Sequence, residues 1–296
     1  MMNSISLVAT TTWNSVDVVR TFVTHYEKLG FERLLVMDFQ STDGTQEVLR
    51  DEERRGFVDL VPFPGLAGLD SSNVLLSRAQ HRYGPDAWCL FCDPDELLVV
   101  PQMTVKNAFP STLTPVADVL EVPRFNVTAP RSIARASDAR LTPLDALTLK
   151  IEQRHVRLPE RDLPADVLVP PWIFSAIGGK VFVHLAHALT IGEGDHYART
   201  SGGAPGTCPA DMYLLHYPFG SYADFCGKIE RARSDFAANP HLSPEYGWQV
   251  RRWIALADRN LLRREYLDQF IVDDQIDHLL HSGVIAVDRR VSEFHA

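Results

Sequence analysis

Cysteine is scarce in this sequence: four residues, Cys89, Cys92, Cys208 and Cys226, in a chain of 296. That number cannot staple a fold of this length, which excludes a disulfide-built scaffold and suits a reducing, cytoplasmic setting. Long apolar runs are missing too. The longest candidates, residues 97–101 and 181–191, fall short of the roughly 18 residues that a membrane-spanning helix needs. No basic segment precedes an apolar stretch near residue 1, so no secretory signal is expected. Positive charge is in deficit, with 29 Lys and Arg against 38 Asp and Glu and a net charge of −9. This argues against a nucleic-acid backbone as the main partner, because neutralising phosphates takes clustered cations. A small anionic ligand held through a metal is still allowed. Internal repeats and low-complexity linkers are also lacking, which argues against solenoids and strings of small domains.

What is present is an ordinary globular composition, 45% hydrophobic and 23% charged, with ample material for a core. The length suits one large α/β domain, or a domain of about 200 residues with an appended subdomain. Residues 4–11, 33–38, 57–61 and 88–92 read as strands from their β-branched and apolar content. Residues 16–29 carry Val18, Val19, Phe22, Val23, Tyr26 and Leu29 at helical spacing and stop at Gly30. Helices are also expected over 46–55, with Asp43 and Gln46 as a capping box, and from Ser71 to Tyr83. Four strands separated by helices imply a doubly wound, mostly parallel sheet. Ligands of such sheets sit at the carboxyl ends of the strands. The polar clusters 10–14, 38–44 and 93–96 each follow a strand and are expected to share one crevice. Further strands are expected at 117–122, 179–185 and 212–217, with irregular loops over 124–171. Helices then follow at 221–238, 244–270 and 273–281, the first with Ser221 as its N-cap. Residues 1–220 are read as the main domain and 221–296 as a helical extension.

Asp93-Pro94-Asp95 is the most informative motif. Two carboxylates one residue apart at a strand end point to the same side. They can share a hard divalent cation, Mg²⁺ or Mn²⁺, whose shell substrate phosphates would complete. Cys89 and Cys92 lie three apart on the same strand and face opposite ways, so they read as small buried hydrophobes. His184 and His187, on an expected strand where that spacing points to opposite faces, and His278 with His281 on a late helix give no complete zinc ligand set.

Three segments resemble the family 2-like bacterial glycosyltransferases of GT-A fold. Residues 37–45, Met-Asp-Phe-Gln-Ser-Thr-Asp-Gly-Thr, are similar to the family's strand ending in Asp before Ser-x-Asp-Gly-Thr. Residues 88–97 are similar to its D-x-D-E segment. Leu215-His216-Tyr217, with Ser221, Phe225 and Lys228, resembles a block after the catalytic core. The resemblance implies a soluble GT-A enzyme of polysaccharide biosynthesis. Such an enzyme moves a sugar from a nucleotide diphosphate to a glycan or other hydroxyl acceptor, with inversion. It implies that Asp38 contacts the nucleoside and that Asp93 and Asp95 hold Mn²⁺ or Mg²⁺ on the diphosphate. His216 becomes a third ligand or diphosphate contact, and Asn14 a further donor contact; separately, negative charge building on the departing diphosphate calls for cationic side chains, for which Lys180, His216 and Lys228 are candidates. The chain departs from the family's pattern at Trp13 and Ser15, which flank Asn14, and at Tyr26, where a histidine is usual.

An inverting transfer also needs a general base for the acceptor hydroxyl. Glu193 and Asp195, in the glycine-bearing loop 192–196, are the candidates. Peripheral association with a membrane surface is compatible with the absence of a span. Two other readings stand beside this one: a non-catalytic nucleotide- or glycan-binding relative, and a nucleotidyltransferase. The second lacks a Gly-rich phosphate loop at residues 10–14.

Overall fold

The computed structural model describes residues 5–65, 70–105, 117–136, 148–153, 171–202, 206, 208–243 and 247–296. In chain order the strands are β1 (Ser6–Thr12), β2 (Arg33–Asp38), β3 (Val58–Leu60), β4 (Trp88–Phe91), β5 (Glu96–Val99), β6 (Val119–Val122), β7 (Arg124–Thr128), β8 (Leu149–Ile151), β9 (Lys180–His184), β10 (Ala188–Ile191), β11 (Ala198–Thr200), β12 (Tyr213–His216) and β13 (Ile285–Val287). The chain forms two compact units. The first comprises Met1–Arg124, Gly178–His216 and Phe294–Ala296, and the second Phe125–Ile177 and Tyr217–Glu293.

The first unit is a mixed α/β fold with helices on both faces of its sheet. Its six-stranded sheet runs β3-β2-β1-β4-β9-β6. The half from β3 to β4 is parallel, as the alternation of strands and helices predicts. The other half is antiparallel, because β9 runs against both β4 and β6. Leu7, Ala9, Leu35, Met37, Cys89 and Phe91 share one core with Leu75, Leu76 and Ala79 of α3 (Ser71–Tyr83). Alternate residues Val8, Leu34, Val36 and Leu90 are buried on the opposite face. There α1 (Val16–Leu29), whose buried stripe includes Val19, Phe22 and Tyr26, packs beside α2 (Thr45–Arg55). Helices on both faces make the parallel half doubly wound. Both Cys89 and Cys92 are buried free thiols, and Cys92 turns away from the Cys89 core toward the Tyr26 hydroxyl. Strand β5 leaves the D-x-D turn and pairs antiparallel with β12, which sets His216 opposite Glu96.

Three local expectations are corrected. The Asp43–Gln46 capping box does not form: Gly44, at φ 99°, is the N-cap of α2, and Asp43 instead ties Val16 N and Thr45 together. His184 and His187 do not sit on opposite faces, because β9 ends at His184 and the chain turns, stacking the two rings 5.6 Å apart. The helix expected over 244–270 is two helices, Trp248–Asp258 and Leu262–Asp268. Asn260, at φ 58°, closes the first of them, a conformation Asn tolerates better than most side chains.

In the second unit, β7, β8 and β13 supply strands within and beyond the stretch expected to be irregular. A rich aromatic core fills the unit, with Trp172, Phe219, Phe225, Trp253, Tyr266 and Phe270 in mutual contact. Helix Tyr222–Ala238 begins at Ser221 as expected, and a full capping box with Asp224 satisfies its first turn.

Candidate functional site

The site lies in the first unit, at the carboxyl ends of neighbouring strands β2, β1 and β4, where a doubly wound sheet opens to a ligand. Two poles can be distinguished. The first is a mesh of hydrogen bonds in which backbone amides and hydroxyls donate around Asp38 and Asp43. In register with Thr12, Asp38 accepts from Ser41 N at 2.9 Å and Ser41 Oγ at 2.5 Å. Asn14 N donates to Ser41 Oγ at 2.8 Å, and Thr42 N donates to Asn14 Oδ1 at 2.8 Å. Asp43 closes the mesh through Val16 N at 3.0 Å and Thr45 Oγ1 at 2.6 Å. Burial works against ionising Asp43, but these bonds outweigh it and hold its carboxyl below the usual range. Asn14 and Gln40 adopt positive φ, 43° and 59°. Such backbone persists where the surroundings over-determine it, commonly at binding sites. The Thr12 hydroxyl is buried here without a hydrogen-bond partner among the described residues.

The second pole is charged. Strand β4 ends at Phe91, and Asp93 to Asp95 form the turn into β5. The alternation argument for a shared face therefore does not apply, and the two carboxylates have different partners. Asp93 Oδ2 accepts from Lys180 Nζ at 2.7 Å, whereas Asp95 Oδ1 lies 3.8 Å from His216 Nε2. Lys180, expected to face the donor, is 1% exposed. Its ammonium also donates to Gly194 O at 2.9 Å and stands 3.7 Å from Glu96 and 3.9 Å from Asp195. Burial works against the charge of Lys180, but these three carboxylates outweigh it and raise its pKa. Lys180 likewise holds the Asp93 carboxyl below its ordinary range against the cost of burial. Glu96, fully buried, binds Arg124 and accepts from Asp93 N at 2.9 Å. Burial pushes the Glu96 carboxyl up to about 7 despite the two cations. Sequence reasoning placed Glu96 in the D-x-D-E segment without assigning it a role, and it missed Arg124. Tyr26, at the position where the resemblance implies a histidine, donates to Glu96 O at 3.0 Å and so supports this turn from the core.

The turn between β10 and β11 joins the cluster. Asp195, at φ 60°, accepts from Ser72 Oγ at 2.5 Å, and burial raises its carboxyl pKa. His196 Nδ1 meets Gly179 O at 2.7 Å, and the imidazole lies so close to Gly194 that a Cβ there would stand 2.8 Å from it. Glu193 is exposed. Lys228 belongs to the second unit, where its ammonium donates to Pro218 O at 3.4 Å.

Among the described residues no three His, Cys, Asp or Glu side chains gather closely enough to hold a metal by themselves. Asp95 and His216 nevertheless form a carboxylate–imidazole pair whose 3.8 Å separation suits two ligands on one cation with bonds of about 2.1 Å. The donor set therefore fits a cation whose remaining ligands come from a substrate and water. No helix among the described residues is long and apolar enough to cross a membrane.

Comparison with known proteins agrees with the resemblance at the level of class. Residues 7–124 match the model of glycosyltransferase family 92. That stretch carries Asn14, Asp38 and the Asp93–Asp95 turn. Family 92 differs from the family 2-like group that the motifs resemble, and glycosyltransferase is the common ground. No curated protein matches the chain. Among solved structures, Staphylococcus aureus TarS 1–349 is similar at 14% identity and a TM-score of 0.43, over 93% of this chain and 74% of that one. The same TarS fragment in complex with UDP-GlcNAc is similar at 14% identity and 0.43, over 98% and 83%. Glucosyl-3-phosphoglycerate synthase from Mycobacterium tuberculosis, in complex with Mn²⁺, UDP and phosphoglyceric acid, is similar at 15% and 0.33, over 62% and 56%.

Proposed function

We propose that this chain is a metal-dependent glycosyltransferase that moves a sugar from a nucleotide diphosphate to a hydroxyl acceptor, with inversion. One observation carries the reading: a hydrogen-bonded pole around Asp38 and an ion-paired pole around Asp93 stand at the carboxyl ends of adjacent parallel strands within a segment that matches a glycosyltransferase family. In this reading Asp38, Asn14 and the Thr12 hydroxyl receive the nucleoside. The D-x-D turn and His216 receive the diphosphate with Mn²⁺ or Mg²⁺. When bound, the cation neutralises charge on the departing nucleoside diphosphate. Lys180 acts from beneath, by fixing Asp93 and the Gly194 carbonyl.

Of the two base candidates, Glu193 is exposed while Asp195 is engaged by Ser72 and lies near Lys180, which supports Glu193 as the base. Residues 1–220 carry donor and acceptor contacts in this proposal, and 221–296 form a helical extension. The four free thiols accord with a reducing, cytoplasmic setting.

The test is incubation with UDP-, GDP- and dTDP-sugars and MnCl₂, following nucleoside diphosphate release by NMR. Release from at least one donor, suppressed by chelator and by Asp95→Asn, is expected. If no donor either reacts or raises the melting temperature, the reading fails. Pyrophosphate release from a nucleoside triphosphate and a sugar phosphate would point to a nucleotidyltransferase instead.

A further inference from the structure

The turn between β10 and β11 is pinned on its inner side and open on its outer side. Asn73 brackets Ile191, donating to its carbonyl at 2.9 Å and accepting from its amide at 2.8 Å. Lys180 holds the Gly194 carbonyl at 2.9 Å, Ser72 holds Asp195 at 2.5 Å, and His196 meets Gly179 O at 2.7 Å. Gly192 N donates to Tyr197 O at 2.7 Å and closes the turn. All these anchors belong to the first unit. They fix the turn beside the charged pole, since the lysine that holds Gly194 also holds Asp93.

Three exposed side chains stand on the outer side, Glu193, Tyr197 and Arg199. None of them has a hydrogen bond or ion pair among the described residues. Tyr197 is 58% exposed, unusually open for so large a ring. Its ring lies against Gly192 so closely that a Cβ there would stand 2.2 Å from it. Only glycine admits that approach. One face of the ring is thus backed by bare backbone, and the other meets water. Arg199, two residues on along extended chain, shares the side of Tyr197.

We infer that Tyr197 is the platform of an acceptor subsite, and that the acceptor is a pyranose whose C–H face stacks on the open face of this ring. The inference rests on the proposed transfer, in which Glu193 takes the acceptor proton, and it names the class of molecule that carries the hydroxyl. A pyranose has an apolar face and a rim of hydroxyls. An aromatic ring flanked by a carboxylate and a guanidinium offers the matching surface, with acceptors on one side and donors on the other. A lipid chain or a protein partner would call for contiguous apolar surface. Tyr197 is instead bordered by Glu193, Gly194 and Arg199, all exposed. Because the turn is already fixed, little ordering cost falls on binding. In the transfer, the acceptor oxygen bonds to the anomeric carbon and its proton passes to Glu193. The bond from that carbon to the diphosphate breaks, and the nucleoside diphosphate leaves with the electron pair.

Saturation-transfer NMR on the full chain tests this, with the methyl β-pyranosides of glucose, galactose and N-acetylglucosamine as probes and glycerol as a polyol without a ring. Each is titrated with and without UDP and MgCl₂. At least one glycoside should receive saturation on its ring C–H protons, and glycerol should not. Tyr197→Ala should weaken that glycoside about tenfold, whereas Tyr197→Phe, which keeps the ring, should stay within about twofold. Calorimetry should give unchanged affinity for UDP, GDP and dTDP in both variants. No glycoside binding, equal binding in Tyr197→Ala, or equal losses in the Ala and Phe variants would overturn the platform while leaving the donor reading intact. A chain that binds a glycoside through Tyr197 but none of the three nucleotides would contradict the donor reading, and with it the acceptor assignment.

Discussion

Lys180, Glu96 and Arg124 enter the interior of the first unit as charges, whereas the second unit fills its interior with Trp172, Phe219, Phe225, Trp253, Tyr266 and Phe270. In the first case each buried charge depends on particular partners: Glu96 on Arg124, and Lys180 on Asp93 and a carbonyl. In the second, rings 5.0 to 5.9 Å apart need only shape and volume, as in Phe225–Trp253 and Trp172–Trp253. Buried ion pairs are a poor way to gain stability, since apolar residues of equal volume commonly do as well or better. A fold that places them under one turn, and uses rings elsewhere, accepts that cost where charge has work to do. The same turn is next to backbone at positive φ in Asp195.

Removing one member from each region should cost similar amounts but respond differently to repair. Phe225→Ala should destabilise by about 3–5 kcal/mol through lost burial and a cavity. Lys180→Met should cost about 3–5 kcal/mol by leaving buried carboxylates without their counter-charge. Adding Asp93→Asn and Glu96→Gln to Lys180→Met should recover more than half of that loss in urea denaturation. A charged cluster can be neutralised as a set, and a missing ring cannot. Failure of the triple variant to regain stability would show that the cluster is held by packing rather than by charge balance.

A second contrast lies in pH. His25 is buried on α1, with Nε2 at 2.8 Å from Leu98 O and Nδ1 at 3.0 Å from His295 Nε2. Burial lowers its pKa from 6.5 to about 3, with the Leu98 carbonyl opposing and His295 and Lys28 adding to the shift. Above pH 6.5 His25 is neutral in both folded and unfolded chains, and its contribution is intact. Between pH 6.5 and about 3 the unfolded chain takes up the proton first, so stability falls as pH falls, by up to about 1.4 kcal/mol per pH unit. Comparing urea midpoints of wild type and His25→Gln from pH 7 to pH 5 should show a shallower slope in the variant. Equal slopes would place the acid sensitivity elsewhere. The ring cluster of the second unit offers a smaller effect: Tyr266→Phe, which removes the bond to Gly220 O at 2.8 Å, should cost about 1 kcal/mol with little pH dependence. A loss near zero would mean that water replaces the hydroxyl there.

Much of the parallel half-sheet was legible because its strands and helices obey local rules: Val16–Leu29 and Arg33–Asp38 fall where periodicity and the stop at Gly30 put them. The antiparallel half was less so, since strand direction depends on partners distant in sequence, as in the Lys180–Val122 pairing of β9 with β6. At the candidate site the D-x-D turn and Asp38 could be found by their position after strands. The Lys180–Asp93 contact could not, because 87 residues separate the two and nothing local to either marks it. Short strands such as Leu149–Ile151 were also invisible, three residues being too few to show a period. The helix break at Asn260 went unread because its neighbours Leu256 and Leu262 continue an apolar face across it.

The account turns on where a divalent cation sits when a nucleotide is bound, and crystals grown with MnCl₂ and UDP answer that through the anomalous signal of manganese. The account predicts a peak within bonding distance of the D-x-D turn or His216, with diphosphate oxygens completing the shell. A manganese peak remote from both, or nucleotide bound away from Asp38, would contradict the account.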